Sequence, residues 1–271
     1  MDHGVVVKTH QEEKNMRLKD CVAVVTGGAS GLGEATIRMV VEFGGKAAIL
    51  DFDQDRGAKL AAELGNNVIF CKTDVTDEAT VQAAMNDTMK AFGALHIAVN
   101  CAGVGNPKKV LDKEGKAMPI DFFNKVVQVN LIGTMNLLRL AAEKIVLNTP
   151  NEDGEKGVVI NTASVAAFEG QVGQVAYASS KAGVVGMTLP VAREFSDYGI
   201  RVNTIAPGLF LTPMLAVLPE AAQQALAKMM PFPKRLGKPS EFAMLVQHII
   251  ENPMLNGECI RLDAALRMAA K

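Results

Sequence analysis

From Leu18 onward, short runs of uninterrupted apolar residues alternate with longer stretches whose apolar positions recur every three or four residues. The short runs predict strands over 22–26, 46–51, 67–72, 97–102, 157–162, 201–206 and 258–262. Continuous hydrophobicity, rather than strict alternation, marks strands covered on both faces. Helical spacing predicts helices that include 33–43, 54–64, 78–92 and 122–147. A strand–helix–strand–helix succession implies parallel strands joined by right-handed crossovers. No repeat or low-complexity linker divides the chain, so one domain over 18–271 is expected after an N-terminal arm, residues 1–17, read as disordered or as a weakly ordered extra strand. The least regular stretches, 103–119 and 208–238, are rich in Gly, Pro and Lys. Both follow strands, on the side where such sheets receive ligands, and long loops in a compact domain are commonly functional lids. A further helix from near Ala176 contains Pro190, which removes a backbone donor and predicts a local distortion.

Candidate chemistry begins where the first strand ends, in Thr26-Gly27-Gly28-Ala29-Ser30-Gly31-Leu32-Gly33, directly before a helical pattern. A pyrophosphate must approach backbone N–H groups at a helix N-terminus, and Cβ atoms at Gly27, Gly31 and Gly33 would block it. The Ser30 hydroxyl is a further donor to the same phosphates. The second strand ends in Asp51, 18 residues after Gly33, close to the offset of about 20 expected of a ribose-binding carboxylate. A 2′-phosphate there would meet Asp51 and Asp53, while the neighbouring Ala29, Ser30 and Phe52 offer no cation, so NAD is expected rather than NADP. These features place the chain among α/β proteins with a single-domain, Rossmann-like, doubly wound parallel sheet and helices on both faces.

The second constellation follows the strand over 157–162. Tyr177 lies 13 residues after Ser164, and Lys181 four residues after Tyr177. Residues four apart share a helix face, which sets the Lys181 ammonium near the Tyr177 hydroxyl. A phenol of pKa about 10 is a poor base at neutral pH. That ammonium, together with the positive nicotinamide ring of NAD⁺, is expected to bring it toward working range as a proton acceptor, with Ser164 holding the substrate oxygen. Tyr198, the other tyrosine, has no Lys four residues on and reads as a packing residue near a helix end.

Composition narrows the partners. The chain is 49% hydrophobic, with 28 basic and 29 acidic residues and a net charge of −1. That gives no support to nucleic-acid binding, which needs a positive field. No apolar run reaches the roughly 18 residues of a membrane span, so no membrane role is expected. Cys21, Cys71, Cys101 and Cys259 form no CxxC pair, no His/Cys spacing suggests a metal, and reduced, buried thiols in an intracellular protein are expected. The first residues, with a short apolar stretch and acidic Asp2, Glu12 and Glu13, resemble neither a secretory signal nor a transit peptide.

The residues Thr26–Gly33, Asp74-Val75, Asn100-Cys101-Ala102-Gly103, Asn130, Ser164, Tyr177, Lys181 and Pro207-Gly208 together resemble the short-chain dehydrogenase/reductases, over essentially 18–266. The resemblance implies that Asp74 and Val75 contact adenine, and that Cys101, Ala102, Gly103, Pro207 and Phe210 border the cofactor beside Gly27, Ser30, Gly31, Leu32, Gly33, Asp51, Tyr177 and Lys181. It further implies that Asn130 holds a water linking Lys181 to solvent. Cys101 departs from the family pattern, which has Asn there. The segments 161–174, 205–210, 231–233 and 249–253 resemble members that oxidise a 3-hydroxyacyl-CoA to the 3-ketoacyl-CoA with NAD. That carries Gln171, beside Ser164 and Tyr177, as a substrate contact, or else as an ordinary loop amide. Other secondary-alcohol substrates such as hydroxysteroids, a 3-oxoacyl-carrier-protein, or a non-catalytic NAD-binding scaffold remain the alternatives. The resemblance also implies a homotetramer, with small Ala178, Ala182, Gly183 and Gly186 allowing close helix packing, and a mitochondrial setting. Lys108 and Lys109 are either solvated loop charges or attractors of CoA phosphates. Met214, Leu215, Leu218, Met229, Met230 and Phe232 form either core or a mobile lid.

Overall fold

The strands are built so that each feeds two cores at once. In β1 (Val22–Thr26) the side chains of Ala23 and Val25 join one apolar cluster and Val24 the other. In β2 (Lys46–Asp51) Ala47 and Ile49 oppose Ala48 and Leu50 in the same way. The two-residue period of a strand turns a continuous apolar run into two buried faces. A computed structural model describes residues 16–270, so the expected N-terminal arm lies almost wholly outside the described residues. Five further strands complete one sheet: β3 (Val68–Lys72), β4 (Ile97–Asn100), β5 (Gly157–Thr162), β6 (Ile200–Pro207) and β7 (Cys259–Leu262). The order is β3-β2-β1-β4-β5-β6-β7 and every pairing is parallel. The order reverses between β1 and β4, which opens a crevice at their C-terminal ends.

Helices α1 (Gly31–Glu42) and α2 (Gln54–Leu64) lie on one face of the sheet with α9 (Pro239–Glu251). On the other lie α3 (Glu78–Phe92), α5 (Gly133–Ile145) and α6 (Val175–Ser196). Their ends follow local chemistry. Asp53 caps α2 by accepting from the Arg56 amide, and Asp77 caps α3 by accepting from Ala79. The sheet, both faces and the strand positions agree with the sequence pattern, with four differences. Strand β4 stops at Asn100 because the amides of Cys101 and Ala102 turn to the Thr26 hydroxyl. The helix expected over 122–147 is α4 (Ile120–Val127) joined to α5 by a π turn, Gln128–Ile132. The stretch 208–238 is not wholly irregular, since it contains α7 (Pro213–Ala216) and α8 (Glu220–Lys228). Finally, α6 runs unbroken through Pro190, which sits on its exposed side. Gly186, whose carbonyl Pro190 leaves without its donor, is exposed as well and can turn that oxygen to water.

Candidate functional site

The glycine loop between β1 and α1 is shaped by backbone contacts. Gly27 has φ +61, and a Cβ there would lie 2.9 Å from the Ala102 nitrogen. A Cβ at Gly33 would be driven into the Gly27 carbonyl oxygen. Both positions therefore demand glycine. Ser30 precedes α1 in extended backbone and does not cap it with its side chain, so the first amides of α1 keep their donors for another acceptor. Leu32 instead packs against the core. Asp51, at the end of β2, is fixed by two amides: Ala29 N–H donates to Oδ2 at 3.0 Å and Asp53 N–H to Oδ1 at 2.9 Å. The carboxylate is thus tied to the glycine loop itself. A cation that local sequence did not suggest is also present. Lys72 pairs in register with Asp51 from β3, its ammonium 5.9 Å from the Phe52 ring centre.

Asp74 uses its carboxylate in a turn, accepting from the Thr76 amide and hydroxyl at 2.9 and 2.7 Å. Val75 is buried, and its carbonyl accepts from Asn136. On the opposite side of the crevice Pro207 ends β6, and Gly208 presses on Asp263. Phe210 stands apart from the other expected cofactor neighbours. Its side chain is buried in the core against Gly237, and its carbonyl accepts from the Thr212 amide at 2.9 Å.

The reacting groups meet beyond β5. Ser164 caps the short turn Val165–Ala167, and the Ala166 amide donates to its Oγ at 3.1 Å. That leaves the Ser164 proton to be donated, and its hydroxyl is hydrogen-bonded to Tyr177. Lys181 is buried on the same helix face, with Nζ donating to the Thr162 carbonyl at 2.7 Å and lying 5.9 Å from the Tyr177 ring centre. Gly103 lets these groups approach, since a Cβ there would be 3.5 Å from Lys181 Nζ and 3.2 Å from Asn130 Oδ1.

Lys181 and the positive ring of bound NAD⁺ together are expected to favour the Tyr177 phenolate. In the chain by itself, burial raises the Tyr177 pKa and the Ser164 hydrogen bond partly offsets that. Burial also lowers Lys181 to about 8, with nearby Cys101 opposing that shift. Desolvation outweighs the stabilisation that the Ser164 hydroxyl gives the phenolate. Burial pushes the Cys101 thiol up to about 12 despite the Thr162 hydroxyl at 3.7 Å from Sγ.

Asn130 sits in the π turn, a distortion that helices commonly carry at functional sites. Its Oδ1 accepts from the Val104 amide at 2.8 Å, and its Nδ2 donates to the Val104 carbonyl and to the Ser180 hydroxyl at 2.9 and 3.0 Å. Ser180 in turn donates to the Tyr177 carbonyl at 2.7 Å. Asn130 therefore staples the loop after β4 to the helix bearing Tyr177 and Lys181. Thr26 and Ser180 are the residues of this hydrogen-bonded arrangement that sequence reasoning did not single out. Both lie inside or beside the recognised motifs, but their partners are far away in the chain.

Several expectations change. Gln171 Nε2 donates to the Ala269 carbonyl at 3.0 Å, which fits a loop amide tied to the C-terminal segment. Lys108 is aimed at the Phe122 ring, 5.3 Å from its centre, rather than left to solvent alone. Gly183 is filled from within, since a Cβ there would crowd the Leu131 side chain, so its small size serves this chain's own packing. Tyr198 lies at a helix end as expected but is 56% exposed, so it is not a packing residue. Cys21 and Cys71 are buried, whereas Cys101 and Cys259 are half-buried. Met230 is core while Phe232 is 83% exposed, so the methionine-rich stretch divides between both readings. Among the described residues no group of His, Cys, Asp and Glu could hold a metal ion, and no helix is long and apolar enough to cross a membrane.

Comparison with known proteins agrees with this geometry. The family model for short chain dehydrogenase matches residues 21–223. The chain is 52% identical over 252 residues to 3-hydroxyacyl-CoA dehydrogenase type-2 of Drosophila melanogaster, covering 93% of this chain and 99% of the relative. Against the Homo sapiens protein of the same name, identity is 54% over 252 residues, covering 93% and 97%. The crystal structure of 3-hydroxyacyl-CoA dehydrogenase type-2 from Mycobacterium avium superimposes with a TM-score of 0.91 at 43% identity, covering 94% and 98%. A 3-ketoacyl-(acyl-carrier-protein) reductase from Brucella melitensis, complexed with NADH, gives 0.80 at 27% identity, covering 92% and 98%.

Proposed function

The chain belongs to the short-chain dehydrogenase family, and on that premise we propose that it is an NAD-dependent dehydrogenase that interconverts a 3-hydroxyacyl-CoA and the 3-ketoacyl-CoA. The observation that carries the reading is the meeting of Ser164, Tyr177 and buried Lys181 beside a crevice whose far wall is the glycine loop and Asp51. The residues present fit a dinucleotide. Gly27 and Gly33 exclude the Cβ atoms that would fill its cradle, Ser30 leaves the α1 amides uncapped, and Asp51 offers an oriented carboxylate to a ribose. When bound, NAD⁺ supplies a hydride acceptor and a positively charged ring.

The chain itself handles orientation and the proton. Ser164, its Oγ already satisfied by the Ala166 amide, donates to the substrate oxygen. Tyr177 takes the hydroxyl proton as the carbonyl forms. Lys181 holds its charge behind the phenol, anchored on Thr162 and unable to reach solvent directly. Asn130 and Ser180 fix the helix that carries both groups. The acyl-CoA preference follows the relatives' names and is joined here to exposed Lys109 in the loop after β4. A homotetramer is supported by exposed Ile132 and Met135 around α5 and Leu189 on α6, and light scattering in solution tests it. A mitochondrial location rests on resemblance, and fractionation tests it.

The deciding experiment is an absorbance assay of NADH with ketoacyl-CoA, steroid and carrier-protein substrates, repeated with NADPH. Turnover of the CoA thioester with NADH above the other combinations is expected. Turnover confined to steroid or carrier-protein substrates, or a preference for NADPH, would overturn the reading.

A further inference from the structure

The loop between the two reacting hydroxyls is held from outside. It runs from Val165 to Gln174; Val165 and Ala166 at its start are buried, but Phe168 and Val172 further on are exposed, so beyond Ala166 little of it is anchored by apolar burial. On one side the Lys108 amide donates to the Gly173 carbonyl at 2.7 Å. On the other lies the segment after β7. There the Val172 amide donates to the Ala270 carbonyl at 3.0 Å, and Gln171 donates to Ala269.

An ionic cluster joins that segment to the loop. Arg261, on β7, grips Glu169 with both terminal nitrogens at 2.6 and 2.8 Å. Its Nε donates to Asp263 at 2.7 Å, its terminal Nη2 donates to the Leu266 carbonyl at 3.1 Å, and its guanidinium lies 5.1 Å from the Phe168 ring centre. Arg267 adds contacts to Asp263 at 3.0 Å and Glu169 at 3.6 Å. A fork on a carboxylate fixes direction as well as distance, which a lysine would not do. The bend that brings the segment back is costly. Ala264 and Ala265 are consecutive residues with φ of 50 and 62, a region that a Cβ disfavours. Two such residues persist only where surrounding contacts over-determine them, and Asp263 Oδ1 accepting from the Ala265 amide at 3.0 Å is one of those contacts.

We propose that Arg261 and Glu169 are positioning residues of the reaction: they strap segment 263–270 across loop 165–174 and thereby hold Ser164 and Tyr177 in register. Glu169 lies five residues after Ser164 and eight before Tyr177, so a shift of this loop moves both hydroxyls relative to each other. The proposal rests on the dehydrogenase reading above.

The test compares Glu169→Gln, Arg261→Met and Arg261→Lys with the parent. Readouts are kcat and KM, NADH affinity by fluorescence, and hydrogen exchange at the Val172 amide. The single variants are expected to lower kcat by about 10- to 100-fold, the range expected of misplaced reacting groups, with NADH affinity unchanged and Val172 protection reduced. Arg261→Lys keeps the charge, so a folded Arg261→Lys protein with parental kcat and Val172 protection would overturn the proposal. So would kcat and NADH affinity falling in equal proportion. Absence of turnover in the parent chain would count against the dehydrogenase reading alone, and Val172 exchange would then decide the strap.

Discussion

Replacing Lys181 by methionine separates what the ammonium does for the chemistry from what its burial costs the fold. Burial brings Lys181 from 10.5 to about 8. At about 1.4 kcal/mol per unit, keeping it charged at pH 7 costs the folded protein about 3 kcal/mol relative to the unfolded chain. Methionine retains the stem and removes the charge. It also forfeits the charged hydrogen bond from Nζ to the Thr162 carbonyl, worth about 2 kcal/mol. The net expectation is a gain of about 1 kcal/mol at pH 7, or roughly 2–4 °C in Tm for a domain of this size. The folded pKa lies below the unfolded one, so the penalty is complete below about pH 8 and fades as pH climbs towards 10.5. Thermal melts of cofactor-free parent and variant across that window should therefore show a Tm gap that shrinks, closes and then changes sign, because the variant still lacks the Thr162 hydrogen bond. Turnover of NADH should fall by orders of magnitude at every pH. A variant less stable than the parent at pH 7, or a gap that stays flat with pH, would refute the assignment of Lys181 as a buried, strained charge.

Three further outcomes are expected. Tyr177→Phe should lower kcat by about 10²- to 10⁴-fold, the usual contribution of a positioned proton acceptor, while fluorescence titration shows unchanged NADH affinity; near-parental turnover would remove Tyr177 from the mechanism. Asp51→Ala withdraws the acceptor from the Ala29 and Asp53 amides and leaves Lys72 nearby. Steady-state ratios should show the preference for NAD over NADP narrowing by at least about tenfold, or roughly 1.4 kcal/mol, and an unchanged ratio would take selectivity away from Asp51. Arg201→Met strips the buried partner from Glu155, whose pKa burial already raises against the pull of Arg201. It also leaves the carbonyls of Ile249, Ile250, Asn252 and Leu255 without that donor. Denaturant melts should show a loss of about 3–5 kcal/mol, and a loss under about 1 kcal/mol would mean the pair behaves like a surface contact.

Where a property is local, the chain announces it. Strands β1, β2 and β5 and helices α2 and α3 begin and end where apolar runs and capping residues place them. The Ser164, Tyr177 and Lys181 set is legible because its spacing straddles one strand exit and one helix. Helices α7 and α8 were hidden by Pro213 and Pro219, which read as loop residues, although proline is well tolerated in a first helical turn. The burial that raises the Tyr177 pKa was not legible, because spacing reports a neighbour but not the degree of desolvation. The contact of Lys72 with the Phe52 ring and the Arg261 fork on Glu169 join residues far apart in sequence. Such pairs depend on which strands become neighbours, and no local pattern encodes that. Thr26 was overlooked for a related reason: a threonine in a strand is ordinary until two amides from another strand's exit arrive at its hydroxyl.

The π turn at Gln128–Ile132 turns helix length into a functional quantity. A π turn spends one more residue than an α turn over the same rise. The α4–α5 rod therefore carries one residue beyond what regular winding needs, and that surplus aims Asn130 at Val104 and Ser180 while Asn136 still meets Val75. Deleting one residue there would restore regular winding, yet it would swing Asn130 by about 100° relative to the rest of the helix. In this rod an indel of a single residue is equivalent to an active-site mutation, though no side chain at the site has been exchanged.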